Sequence, residues 1–96
     1  MSERLTRKER RIVELLETLG ESTGWALVDA SGGDLKRGTV YVTLGRMADK
    51  GLVESTQEAR RPGQSGPLRR LYRPTARATA LLALERQAAA LLGELA

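Results

Sequence analysis

Ile12, Leu15, Leu16 and Leu19 recur at the i, i+3, i+4, i+7 spacing that gathers one apolar face on a helix, with Val13 beside them. Ahead of them, Thr6-Arg7-Lys8-Glu9 has the form of a capping box, and Gly20 stands where a left-handed C-terminal cap is wanted. The spacing predicts a helix over 7–19. Ser22-Thr23 can cap a shorter second helix through Trp25, Ala26, Leu27, Val28 and Ala30, which Gly32-Gly33 stops. Asp34-Leu35-Lys36 is a brief extended connector at most. A third helix starts near Arg37 and ends before Gly51. At about 100° per residue, Val40, Leu44, Met47 and Ala48 share one arc of it. Thr39, Thr43, Arg46 and Lys50 fall on the opposite arc, with Val42 at its edge.

Beyond Gly51 the period shortens. Leu52–Ser55 and Arg69–Arg73 read as two short strands. Thr56–Leu68 between them carries Pro62-Gly63 and Gly66-Pro67, a polar tip too long for a simple hairpin turn. Pro74 ends the second strand and Thr75 caps a last helix. There Leu81, Leu84, Ala88, Leu91 and Leu95 repeat at alternating spacings of three and four, a heptad seam widened by Leu82, Ala89 and Leu92. The order is helix, helix, helix, hairpin, helix, with no internal repeat.

Composition narrows the chemistry. A chain of 96 residues, 41% hydrophobic and 29% charged, is one soluble globular domain. It has no Cys and no His, which removes disulfides, thiolate nucleophiles, Cys/His zinc sites and His acid–base catalysis. Asp29, Asp34 and Asp49 fall in separate elements without ligand-type spacing, and Ser31-Gly32-Gly33-Asp34 lacks the lysine of a phosphate loop. We therefore expect no enzyme, no metal and no cofactor. No apolar run approaches the roughly 18 residues of a membrane span, and no signal-peptide core follows the N-terminus. A cytoplasmic binding module is the expected class.

Charge indicates what it binds. The formal net charge is +4, with a pI near 10.1. Residues 36–77 carry ten Lys/Arg against three acids, whereas residues 1–35 carry five against seven and residues 78–96 one against two. One stretch supplies the entire basic excess. A surface built this way suits a polyanion, because each cation set on a phosphate releases condensed counterions. A merely solvated, arginine-rich surface gives the same composition.

Two helices, a third with a cationic face and an arginine-rich hairpin are the order of a winged helix-turn-helix, so the fold is expected to be mostly α with a small β-hairpin. Residues 1–75 would form the DNA-binding part and residues 76–96 a C-terminal dimerisation helix, together one compact unit. The third helix fits the major groove, and the hairpin can follow the backbone or enter the minor groove. The candidate DNA contacts are Lys36, Arg37, Thr39, Tyr41, Thr43, Arg46 and Lys50 on the helix, and Arg60, Arg61, Arg69 and Arg70 on the hairpin. Tyr41 lies between the two arcs, placed either to pack its ring or to offer its hydroxyl to a phosphate.

The chain also resembles the PadR-like transcriptional regulators. The resemblance rests on Gly24-Trp25 opening helix two, Gly38-Thr39-Val40-Tyr41 opening helix three, and the run Leu44-Gly45-Arg46-Met47-Ala48-Asp49-Lys50-Gly51-Leu52-Val53. Gly66 and the strand ending Leu71-Tyr72-Arg73-Pro74-Thr75 complete it. Val42, Pro74 and Ala78 stand where the family often has Pro, Leu and Gly. The resemblance implies a cytoplasmic homodimeric repressor of the short-tailed kind, some members of which respond to small aromatic ligands. The rival class is a winged-helix module that docks a protein, with incidental cations.

Three further expectations follow from the residues. Gly38 is read as a packing glycine that lets helix three cross close to a neighbour. Trp25, the sole tryptophan, is read as a core or boundary residue. The seam Leu81, Leu84, Ala88, Leu91, Leu95 is too wide for helix one to cover, so it predicts self-association into a homodimer.

Overall fold

Threonine hydroxyls open three of the four helices. In the computed structural model, which describes residues 4–95, the elements run α1 (Arg7–Leu19), β1 (Ser22–Thr23), α2 (Gly24–Ala30), α3 (Arg37–Asp49), β2 (Val53–Gln57), β3 (Arg70–Pro74) and α4 (Ala76–Leu95). Residues 1–3 and 96, the expected outer ends of the two parts of the chain, lie outside the described range. The capping box forms as the sequence predicts: the Glu9 amide donates to Thr6 Oγ1 at 3.2 Å, and the Thr6 amide donates to Glu9 Oε1 at 2.9 Å. Thr23 Oγ1 accepts from the Ala26 amide and Thr75 Oγ1 from the Ala78 amide. Each bond satisfies a donor that a helix start leaves without an intrahelical partner.

The strands form a three-stranded antiparallel sheet in the order β1-β3-β2. β3 is central, with Tyr72 opposite Ser55 on one side and Ser22 on the other. The hairpin β2–β3 matches the expectation to within two residues at each end. Strand β1 is an addition to it. Gly20 has φ +80° and ψ −164°, a glycine-only extended conformation rather than the left-handed helical one expected. That geometry turns the chain straight from α1 into β1.

Leucines, valines and a methionine fill the core. Ile12, Val13, Leu15 and Leu16 of α1 meet Leu27 of α2, Val40, Leu44 and Met47 of α3, Leu52 and Val53 before and in β2, and Ala78 and Leu82 of α4. Leu5 and Leu35 close it from the two connectors. Three residues differ from expectation. Leu19 is exposed, because α1 ends as the chain leaves the core at Gly20. Ala48 is exposed, so the buried stripe of α3 is Val40, Leu44 and Met47 alone. Leu82, read as part of the α4 seam, is buried in the chain's own core. Glu85 and Arg86 still reach the Leu5 amide and α1, through Arg10, Glu14 and Glu17; beyond them α4 is exposed throughout, and the molecule extends 59 × 26 × 20 Å.

Candidate nucleic-acid interface

Rotating the buried stripe of α3 away from the viewer brings Gly38, Tyr41, Val42, Gly45, Arg46 and Asp49 to the front, all of them exposed. Thr39 and Thr43 lie on the flank instead, half-buried, and the Thr43 hydroxyl donates back to the Thr39 carbonyl at 3.0 Å. That is the local bond by which threonines inside helices satisfy themselves. The two hydroxyls expected on the outer face are thus turned to the side.

The cations of α3 divide. Lys36 and Arg46 are exposed and make no ion pair or hydrogen bond through their side chains among the described residues. Arg37 lies 5.4 Å from the ring centroid of Trp25, a cation–π contact between the first turns of α3 and α2. Lys50 turns back toward α1, where its Nζ donates to Glu9 Oε2 at 2.7 Å. Glu9 is only 2% exposed, so the lysine neutralises a buried carboxylate. Burial raises the Glu9 pKa, but the bonds from Lys50 and the Thr6 amide outweigh it and hold the carboxyl below its ordinary value.

The hairpin commits two of its five arginines to carboxylates. Arg69 makes two hydrogen bonds to Glu58, at 3.0 and 2.7 Å, and Arg73 makes two to Glu54, at 3.1 and 2.9 Å. The Arg69 bond holds the Glu58 carboxyl below its usual range. Arg60 donates to the carbonyls of Gln64 and Gly66 and so braces the tip from inside. Arg70 donates to the neutral Ser55 hydroxyl at 3.1 Å. The Arg61 side chain, exposed at the tip beside Pro62-Gly63, makes no hydrogen bond or ion pair among the described residues.

The packing role expected of Gly38 falls to another glycine. A Cβ on Gly38 would meet nothing within 4 Å, so that glycine permits no close crossing. A Cβ on Gly24 would stand 2.6 Å from Tyr41 Cε1, too close unless the ring moves aside. Gly24 is therefore the packing glycine, and the half-exposed Tyr41 ring lies against its bare backbone. Trp25, next in sequence, is 56% exposed instead of packed in the core or at its boundary. It faces Arg37, a partner outside its own helix, and the order of residues in α2 alone carries no sign of that.

Along α4, Leu84, Leu91, Leu92 and Leu95 are exposed, and Leu81 is half-buried. Ala88 lies on the same uncovered length of helix. A groove of about 370 Å³ runs between its apolar side chains and the Arg4, Arg10 and Glu85 side chains. Glu85 bridges the elements, accepting from the Leu5 amide at 2.8 Å and from Arg10 at 2.7 Å. Among the described residues, no cluster of three or more acidic side chains could hold a metal ion, and no helix is long and apolar enough to cross a membrane.

The family model for the transcriptional regulator PadR-like family matches residues 5–84, and so spans the whole winged-helix body and the start of α4. The chain belongs to the PadR-like family. A PadR family regulator from hypervirulent Clostridium difficile superposes with a TM-score of 0.72 at 26% identity, over 90% of both chains. A regulator from Eggerthella lenta gives 0.66 at 24% identity over 92% of this chain and 82% of that one. One from Thermoplasma acidophilum gives 0.66 at 23% over 90% and 82%. No curated protein matches the chain. This PadR-like chain thus has the winged-helix fold expected of it, four helices around a small antiparallel sheet.

Proposed function

We propose that this PadR-like chain is a cytoplasmic repressor that binds duplex DNA as a homodimer. In this reading α3 enters the major groove, and the arginine-bearing hairpin lies on the backbone or in the adjacent minor groove. The observation that carries it is that Lys36 and Arg37 at the start of α3, and Arg46 on its exposed face, have no carboxylate partner among the described residues. Cations held on a helix without a carboxylate partner are suited to an anionic partner. Arg46 can address a guanine edge, and Lys36 a phosphate.

The second copy is expected on α4. Exposure of 60% at Leu84, 58% at Leu91 and 83% at Leu95 leaves apolar area in water that a twofold partner would bury. Such a dimer presents two copies of α3 to successive major grooves, roughly 34 Å apart, and prefers an inverted repeat.

Titration of a labelled random duplex against salt tests the DNA reading. Affinity that falls steeply with salt supports it, whereas negligible binding at low salt favours the protein-docking module. Sedimentation should give twice the chain mass, and Leu84→Asp with Leu91→Asp should give a folded monomer that has lost specific binding. A wild-type mass of one chain rejects the dimer.

A further inference from the structure

The contact of Arg37 with Trp25 has no structural task in the core. Trp25 remains 56% exposed with the guanidinium over its ring, so the arginine does not cover it. Arg37 is itself exposed and pairs with no carboxylate among the described residues. A planar guanidinium laid on an indole uses one of its faces and keeps its N–H edge free for other acceptors. The contact also restricts a side chain that otherwise samples many rotamers. Tyr41, one turn further along α3, lies against Gly24, the residue before Trp25, so both partners of the contact sit where α2 and α3 meet closely.

We infer that Trp25 is a positioning residue for a phosphate contact made by Arg37, and that the indole itself lies within the protein–DNA interface. The inference rests on the DNA-binding reading above and adds an uncharged residue of α2 to it. Because the contact presets the guanidinium, Arg37 loses less freedom when a DNA phosphate accepts its hydrogen bonds. An uncharged residue then contributes to a salt-dependent contact. A Trp25 that serves only as surface would have no such effect.

The test uses the full chain and a labelled random-sequence duplex. Since Trp25 is the only tryptophan, its emission should shift or quench as duplex is added, with the same midpoint as the duplex anisotropy. Arg37→Ala should reduce the slope of log affinity against log salt by about 0.9, the value of one phosphate contact. Trp25→Ala should reduce that slope too, although it removes no charge, while Trp25→Phe, which keeps an aromatic face, should retain most of it. The double variant should lose no more than Arg37→Ala alone, the non-additivity expected of two residues acting as one unit. Circular dichroism identifies any variant that fails to fold, in which case Arg37→Ala and the wild-type emission carry the test. Unchanged emission at saturating duplex, or a Trp25→Ala slope equal to wild type, overturns the inference while leaving DNA binding intact. Absence of duplex binding in wild-type anisotropy overturns the DNA-binding reading, and this inference with it.

Discussion

The third helix and the hairpin contribute similar numbers of cations to the same basic stretch, yet they hold them differently. Arg69 and Arg73 are each clamped by a glutamate on the neighbouring strand or at its end. Lys36 and Arg46 on α3 have no such clamp among the described residues, and Arg37 rests on an aromatic ring. Net charge counts these side chains equally; their availability to a polyanion is unequal. An arginine already paired must give up a bidentate bond to reach phosphate, which offsets much of what the phosphate returns. The hairpin's charge thus serves partly to hold its own strands together: Arg69 and Arg73 are committed to glutamates, whereas Arg60, Arg61 and Arg70, like Lys36, Arg37 and Arg46 at α3, have no carboxylate partner among the described residues.

The largest effect should come from α3. Arg46→Ala is expected to cost about 1–3 kcal/mol in binding to a site enriched from random duplexes, with relaxed preference at one base pair. The same change should leave the unfolding free energy within about 0.5 kcal/mol of wild type, since Arg46 is an exposed surface residue. A comparable binding loss on Arg69→Ala would break the contrast between the two regions.

Lys50 is the instructive exception on α3, a paired cation among unpaired ones. Lys50→Met should destabilise the fold by about 1–2 kcal/mol, less than a fully buried pair because the lysine is half exposed, with little change in the salt slope of DNA binding. Its partner gives the pH dependence. The Glu9 pKa is lowered in the folded chain, so its contribution is present above the ordinary value of 4.5 and is lost as pH falls through the lower folded value. Urea titrations between neutral and acid pH should show that loss in wild type and a smaller one in Lys50→Met.

The smallest effect should come from unclamping the hairpin. Glu58→Gln removes the carboxylate that holds Arg69, and should strengthen binding to random duplex by a few-fold and steepen its salt dependence. A weakening would show that the Arg69–Glu58 clamp shapes the hairpin more than it occupies its charge.

What the sequence made legible were features with local causes. Thr6 with Glu9, Thr23 and Thr75 marked helix starts because a cap is a contact across three residues. The basic excess of residues 36–77 was visible by counting. Features set by distant partners were hidden. Ser22-Thr23 is a strand only because Leu71 and Tyr72 pair with it. Lys50 sits on α3 like any exposed cation until α1 brings Glu9 to it. Counting Ala48 as buried shifted the apparent stripe of α3 away from Thr43, which then read as outward-facing. The glycine that mattered could not be chosen by spacing either, since a tyrosine 17 positions downstream of Gly24 selects it.

That last pair restricts the order in which this surface can change over generations. A side chain at position 24 collides with Tyr41 while the tyrosine stands. Loss of the ring at 41 opens room and exposes little that was sealed, so it can come first. Gain of a methyl at 24 can follow, but cannot precede without displacing an aromatic from the helix read as facing DNA. Once 24 has acquired a side chain, a returning tyrosine must set its ring elsewhere. The contact therefore biases descent toward one order of change, the ring at 41 yielding before or together with a gain at 24.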